Sequence, residues 1–505
     1  MIHVQKPTIR AALLAASTAA AIAASPGEAR GAGVYVTDRG VRPLARGGAF
    51  IAGGDDLGAI AYNPAGVYEA GTQILFDVGL FEWRSEYTRQ ALLRQVDPNT
   101  GEPTGTSFVQ TMDPVTGSAP VLPIPTLAAS FQVDERWVVW GGVWAPYAAL
   151  ASYPEQVRGM PAPQRYALFT IEGSALAFLG AGAAYAPSRS VRLGAGLGAL
   201  VGTLNSRVAL SGCVPERMFC APEDPEWDMH SELDVGPIVA PTGQLGALLI
   251  PSPRWRIGAS FQLPVWVRAP ATMRTRLPAA PVFERASQEG EDADVSFELP
   301  WILRAGVEVR PTDDLRVELG LGVEGWGMHD EILVEPDGVV LRNVAGFPEE
   351  YRVPPVALPR KFESSFSARL GGEYTIQLLD RAWDLRAGLS VEQSAVPPAY
   401  LSVITLDAAK VTAAAGVGVH LGPWRFDVTY AHVFVSDVLV DPRDARLAQV
   451  SPVQANPPRN PNTINGGAYS TRANVLGLGL AYTFEAAQAE APAAKDATGA
   501  PARGQ

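Results

Sequence analysis

The chain has 505 residues, of which 18% are charged, a net charge of −12 and a mean hydropathy of +0.07. Past the amino terminus no apolar run approaches the ~20 residues a membrane helix needs, which excludes a helical membrane bundle, and the acidic balance without any basic run excludes nucleic acid as a partner. A β-barrel passes both tests, because it hides its apolar half in every second residue.

Residues 1–30 read as a secretory signal peptide. Lys6 and Arg10 supply its charge, and Leu13 to Ala24 form an apolar core too short to span a bilayer. Ala21, Ala23, Ala24 and Ala29 offer several cleavage sites; a retained anchor helix is the other reading. Residues 31–71 are rich in Gly and Ala, and Gly40, Gly47, Gly48, Gly53, Gly54 and Gly58 would interrupt either a helix or a strand. A compact, irregular plug accounts for them. Within it, Asn63-Pro64-Ala65 has the chemistry of a turn start.

From Thr72 onward alternating segments are separated by turn signals. The last is the clearest: Leu476, Leu478, Leu480, Tyr482 and Phe484 share one face, which suits lipid and ends in interface aromatics. Ile74, Phe76, Val78 and Leu80 take that face early in the chain, Val317, Leu319, Leu321 and Val323 midway, and Trp424, Phe426, Val428 and Tyr430 near the end. The opposite face carries Arg304, Arg310, Arg316, Arg369, Arg386 and Arg425 beside Glu308, Glu318, Glu324, Glu373, Glu392 and Asp427. Charges in so narrow an interior are expected to pair with one another and with the plug, since an unpaired one is costly.

Short polar turns at 133–136, 187–190, 251–254, 311–314, 379–381 and 422–423 alternate with long loops near 88–125, 146–166, 210–231, 271–293, 335–360, 397–408 and 441–469. Between them fall fourteen strands, at about 72–87, 126–133, 136–145, 167–186, 190–209, 232–251, 254–270, 294–311, 313–334, 361–378, 382–396, 409–421, 423–440 and 470–484. An even count places both chain ends on the periplasmic side. The expected architecture is all-β: a 14-stranded antiparallel transmembrane barrel over 72–484, with an amino-terminal hatch inside its lumen and an Ala-rich tail over 485–505 that lacks the apolar variety to pack.

The Gly-rich segment leading through Asn63-Pro64-Ala65 into the first strand resembles the hatch of the long-chain fatty acid outer-membrane transporter (FadL) family. Pro300 to Gly327 looks like that family's strand-turn-strand hairpin, and Asp384 to Val435 like its late region, so the resemblance spans nearly the whole mature chain. It departs at the end, where members usually stop near the terminal aromatic and this chain continues past Phe484. The resemblance implies the outer membrane of a Gram-negative bacterium, with outer-membrane lipid around the barrel and the barrel-assembly machinery as partner during biogenesis. It also implies passive transport of a fatty acid or an aromatic hydrocarbon. Long loops would capture the compound, an apolar pocket against the hatch would hold it, and a kinked third strand would open sideways. In this chain that kink would fall at Gly141-Gly142 and Pro146, with Asn63-Pro64-Ala65 as the hatch-side partner; a simple bulge without a gap is the alternative.

Other motifs carry less. Gly320, Gly322 and Gly325 spell G-x-G-x-x-G but sit inside an alternating strand, with no helix to receive a dinucleotide. His3, His230, His329, His420 and His432 show no metal-ligand spacing, and no nucleophile elbow or zinc-protease motif occurs. Neither cofactor, metal nor enzymatic activity is therefore expected. Cys213 and Cys220 share a polar, Pro-rich loop, where an exported chain would form a local disulfide. A general porin or surface receptor, or a membrane-embedded lipid hydrolase, remains as the alternative function.

Overall fold

The computed structural model describes residues 39–96, 103–119, 121–147, 151–214, 220, 223–453 and 462–484. The expected signal peptide, the first residues of the expected hatch (31–38) and the tail over 485–505 lie outside them.

Fourteen antiparallel strands close into a barrel. They are β1 (Gln73–Val96), β2 (Leu122–Gln132), β3 (Trp137–Tyr147), β4 (Ala175–Ser188), β5 (Val191–Ser211) and β6 (Asp228–Ser252). Four strands come in two segments each: β7 (Trp255–Gln262 and Val265–Arg276), β8 (Asp292–Leu299 and Ile302–Val309), β9 (Leu315–Glu324 and Glu331–Pro336) and β10 (Val356–Pro359 and Ser365–Leu378). Then follow β11 (Arg381–Glu392), β12 (Lys410–Leu421), β13 (Trp424–Val435) and β14 (Gly467–Thr483). The barrel closes where β1 meets β14, in unbroken register from Gln73 opposite Thr483 to Arg89 opposite Gly467.

Two boundaries differ from the sequence expectation for a physical reason. β1 does not stop near residue 87; its outer half continues to Val96 by pairing with Pro103–Thr111, so a hairpin rises where a loop was expected. The strand expected from residue 167 begins instead at Ala175. Residues just before it fold inward: Leu168 and Phe169 are buried in the lumen, where an apolar loop imitates a strand's pattern.

The two faces of the wall follow the alternation. Ile74, Phe76, Leu319, Leu321, Phe426, Val428, Leu476 and Leu478 are exposed, and Trp424, Tyr482 and Phe484 cluster at the end where the turns are short. Inside, Arg304, Arg316, Arg369, Arg386 and Arg425 are buried, as are Glu308, Glu318, Glu324, Glu373, Glu392 and Asp427; Arg310 is half-buried. The lumen is filled by residues 39–71, which carry a short helix (Val41–Ala45) and two 3-10 turns (Leu57–Ala61 and Pro64–Ala70). This segment meets the wall on all sides: the helix packs against β11 to β14 and β1, the second turn against β4, β5 and β6, and Ile51 against Gly258 of β7 and Gly306 of β8.

Candidate functional site

The lumenal segment is held by charge. Arg42 donates to Asp55 (2.7 Å), Asp56 (2.9 Å) and both oxygens of Glu373 in β10 (2.9 Å each). Glu373 also receives Arg386 of β11 at 2.5 Å and Arg316 of β9. Arg46, fully buried, pairs with Glu308 of β8 (3.0 Å) and Glu318 of β9 (3.3 Å). Glu318 in turn accepts the backbone N–H groups of Ile51, Ala52 and Gly53 at 2.6, 2.9 and 2.8 Å. Asp56 completes the set by accepting from Arg425 of β13 at 2.6 Å. Charge-assisted bonds of this kind are about twice as strong as neutral ones, and here they tie one segment to four strands.

Asn63 is fully buried. Its Oδ1 accepts from the Ala65 N–H (3.1 Å) and caps the turn that Pro64 begins, while its Nδ2 donates to the carbonyls of Ile51 (2.8 Å) and Ala247 of β6 (3.0 Å). The motif thus staples two parts of the segment to the barrel wall. The wall gives way for it with glycine: a Cβ on Gly246 would overlap the Asn63 amide oxygen, and one on Gly194 of β5 the Ala65 nitrogen. Gly246→Val is therefore expected to displace the Asn63 turn and destabilise the folded barrel by ~1–3 kcal/mol, the usual cost of overpacking. A shifted urea midpoint in detergent micelles reads it; an unchanged midpoint contradicts the close approach.

The expected third-strand residues lie in β3, away from this motif. Gly141 and Gly142 are in continuous ladders on both edges, opposite Ala129 and Ala128 of β2 and Ala181 and Gly180 of β4. The bare position of Gly142 clears Ile60 and Ala128, so these glycines serve close packing of the lumenal segment, and no gap opens at them. The register of β3 against β4 shifts only beyond Trp144, between it and Tyr147, which brackets Pro146. Asn63-Pro64-Ala65 meets β5 and β6, and Ile60 is the lumenal residue that faces Gly142. Cys213 and Cys220 are joined by a disulfide in the outer loop between β5 and β6. Gly320 and Gly322 lie in β9, Gly320 facing Ile51.

Above the lumenal segment, towards the long loops, lies a cavity of about 510 Å³. Its apolar lining includes Leu168, Val208 of β5, Leu233 of β6, Met273 of β7, Ile404 and Leu447, with the exposed Glu331 and Arg446 also contributing. One cation on its wall is buried. Arg360, 6% exposed, follows the short outer segment of β10, makes no ion pair among the described residues and leaves its Nε without a hydrogen-bond partner. An arginine keeps its charge at neutral pH. Nearby His329 donates from Nδ1 to the Glu298 carbonyl (2.7 Å) and packs against Trp326 and Phe362. Sequence reasoning missed Arg360, because a single arginine in the run Leu358-Pro359-Arg360-Lys361 carries no pattern.

Residues 21–484 match the family described as outer membrane protein transport protein (OMPP1/FadL/TodX). The chain belongs to this family. Its members are transport proteins and not enzymes, and the barrel sits in the outer membrane of a Gram-negative bacterium. Among solved structures it is similar to a Pseudomonas aeruginosa FadL homologue, at 15% identity and TM-score 0.66 over 90% of this chain and 100% of that one. It is also similar to the P. putida toluene transporter TodX (16%, TM-score 0.58, 89% and 100%) and the Ralstonia pickettii toluene transporter TbuX (16%, TM-score 0.55, 89% and 99%). At such identities these likenesses speak for the fold. No curated protein matches it in sequence.

Proposed function

We propose that this protein carries long-chain fatty acids across the outer membrane by passive diffusion, with the lumenal segment acting as a hatch. The supporting observation is the pairing of an apolar cavity of about 510 Å³ with the buried guanidinium of Arg360, which makes no ion pair among the described residues. Cavities of ~300–1,000 Å³ suit a ligand of this size. An apolar chain gains about 0.8 kcal/mol per CH₂ on leaving water, and an unpaired buried arginine is stabilised by a carboxylate, for which its planar fork is suited. TodX and TbuX are named as toluene transporters, and the apolar lining alone would equally suit an uncharged aromatic; the arginine is what favours the acid. A water-filled porin has no use for a lumen filled by residues 39–71.

Uptake of radiolabelled oleate and toluene by cells lacking their own carrier tests this. Expression of the chain is expected to raise oleate uptake well above that of toluene, and deletion of Asn63-Pro64-Ala65 to abolish it. An inserted barrel that raises uptake of neither compound would overturn the reading.

A further inference from the structure

On the lipid side of the wall, the strands that close the barrel change character at one height. Going outward from the short turns along β1, Ile74, Phe76, Val78 and Leu80 give way to Glu82, Arg84 and Glu86. Along β14, Leu478 and Leu476 give way to Asn474 and Arg472, and along β13, Val428 and Tyr430 give way to His432. The changes share a level, because Asn474 stands opposite both Glu82 and His432. Hydrogen bonds tie that level together: Asn474 Nδ2 donates to Glu82 (3.0 Å), while the Tyr430 hydroxyl (2.9 Å) and His432 Nδ1 (2.7 Å) donate to Asn474 Oδ1. At ~3.3 Å per residue and a tilt of ~35–45°, the climb from Ile74 to Arg84 is about 25 Å, the height of the apolar band of an outer-membrane barrel. Hydrocarbon therefore ends here and head groups begin, a place that suits the ring and hydroxyl of Tyr430.

Two residues higher on each strand, Arg84 stands directly opposite Arg472. Both are exposed, and neither forms an ion pair or a side-chain hydrogen bond among the described residues. Opposed residues on a ladder hold their Cβ atoms about 4.5–5.5 Å apart, and like charges so placed destabilise the pair. A bound anion turns that repulsion into attraction. The same rung continues to exposed Ser118 on the short strand Val115–Ser118, which lies opposite Arg84, and to exposed Phe434 of β13, opposite Arg472. No carboxylate shares the rung. Glu82 lies below it and is engaged by Asn474, and Glu86 lies above it, opposite Ser470.

Phosphate is the anion this rung suits. Two guanidinium forks offer it bidentate, charge-assisted bonds, which an ammonium cannot match, and the serine hydroxyl adds a donor. What lies below the rung decides the source of the phosphate. There the wall is apolar, with Leu476 and Leu478 exposed on β14, and with Pro125 and Leu127 exposed on β2 opposite Val78 and Phe76. A free phosphate ion gains nothing from that surface. A lipid whose phosphate rests on the rung lays its chains along it, and basic side chains at head-group height are the usual recognition element for anionic lipid.

We infer that Arg84, Arg472 and Ser118 form an exterior binding site for the phosphate of a phosphorylated glycolipid of the outer leaflet, with its acyl chains against the lipid faces of β14, β1 and β2. The site sits on the outside of the wall, where the first and last strands meet, and one lipid head group there bridges the two strands whose pairing closes the barrel.

Native mass spectrometry of the purified protein in detergent, titrated with lipid A carrying both phosphates, tests this. The unmodified protein is expected to bind one lipid A, and R84Q/R472Q to bind it about tenfold more weakly, since charge-assisted bonds are lost. R84K/R472K, which keeps the charge without the fork, should fall between them. R158Q/R443Q removes two exposed arginines of the outer loops and should bind as the unmodified protein does. Dephosphorylated lipid A poses the same question without any substitution, and should bind the unmodified protein about tenfold more weakly than the phosphorylated form. Equal binding of the two lipids, equal binding by the unmodified protein and R84Q/R472Q, or an equal loss in R158Q/R443Q overturns the inference. Displacement of lipid A by millimolar inorganic phosphate also overturns it, because the rung would then be a site for the free ion.

Discussion

Glu373→Ala is expected to unseat the lumenal segment while leaving the barrel closed. Glu373 is the carboxylate shared by Arg42 of that segment, Arg316 of β9 and Arg386 of β11. Removing one partner of a buried pair costs ~3–5 kcal/mol, because the remaining charge is left without compensation. The loss does not fall evenly. Arg316 keeps Asp55, and Arg386 keeps Asp384 and Asp427, so each barrel arginine retains a carboxylate. Arg42 keeps Asp55 and Asp56, but both belong to its own segment; Glu373 is its ion pair to the wall. The ladders of β10 against β9 and β11 are backbone bonds that the substitution does not touch. The expected result is a folded barrel with increased single-channel conductance in planar bilayers and raised sensitivity of the cells to vancomycin. Glu373→Gln, which keeps an acceptor oxygen, should give a smaller increase. Unchanged conductance in both variants would mean that Glu318 and Asn63 hold the segment without Glu373.

Much of this arrangement was open to sequence reasoning because a two-sided wall leaves a strict record. In β13 and β14 every second residue must meet lipid, and no other use of Trp424, Phe426, Val428 and Tyr430 beside Arg425 and Asp427 satisfies both faces. Burial of the charged face among its own partners follows from the cost of an unpaired charge. Where the reading failed, the deciding neighbour was distant in sequence. Leu168 and Phe169 alternate like strand residues but pack inward from a loop. Gly141 and Gly142 have the chemistry of a bend, yet the absent side chain at Gly142 makes room for Ile60. Pro237, Pro241, Pro264 and Pro270 stood inside two segments read as strands; proline in a strand signals a lost pair. Between β6 and β7 the ladder lapses over 236–243 and 263–270, where β6 shifts register and β7 breaks, and that is a property of the pair of strands.

Arg360→Met is expected to separate the acid from its uncharged analogues. A hydrogen bond to a charged group contributes about 1.5–3 kcal/mol, and replacing the guanidinium by an apolar chain of similar length removes it without opening a large void. Oleate affinity in detergent should fall ~10- to 100-fold by that magnitude, while oleyl alcohol, with the same chain and no carboxylate, should bind as before or more tightly, since Met removes a buried charge from an apolar wall. Arg360→Lys keeps the charge but loses the planar fork, so oleate binding should be intermediate. Equal loss for oleate and oleyl alcohol would mean that Arg360 only supports the cavity wall, and the uncharged aromatic would then become the better-supported cargo.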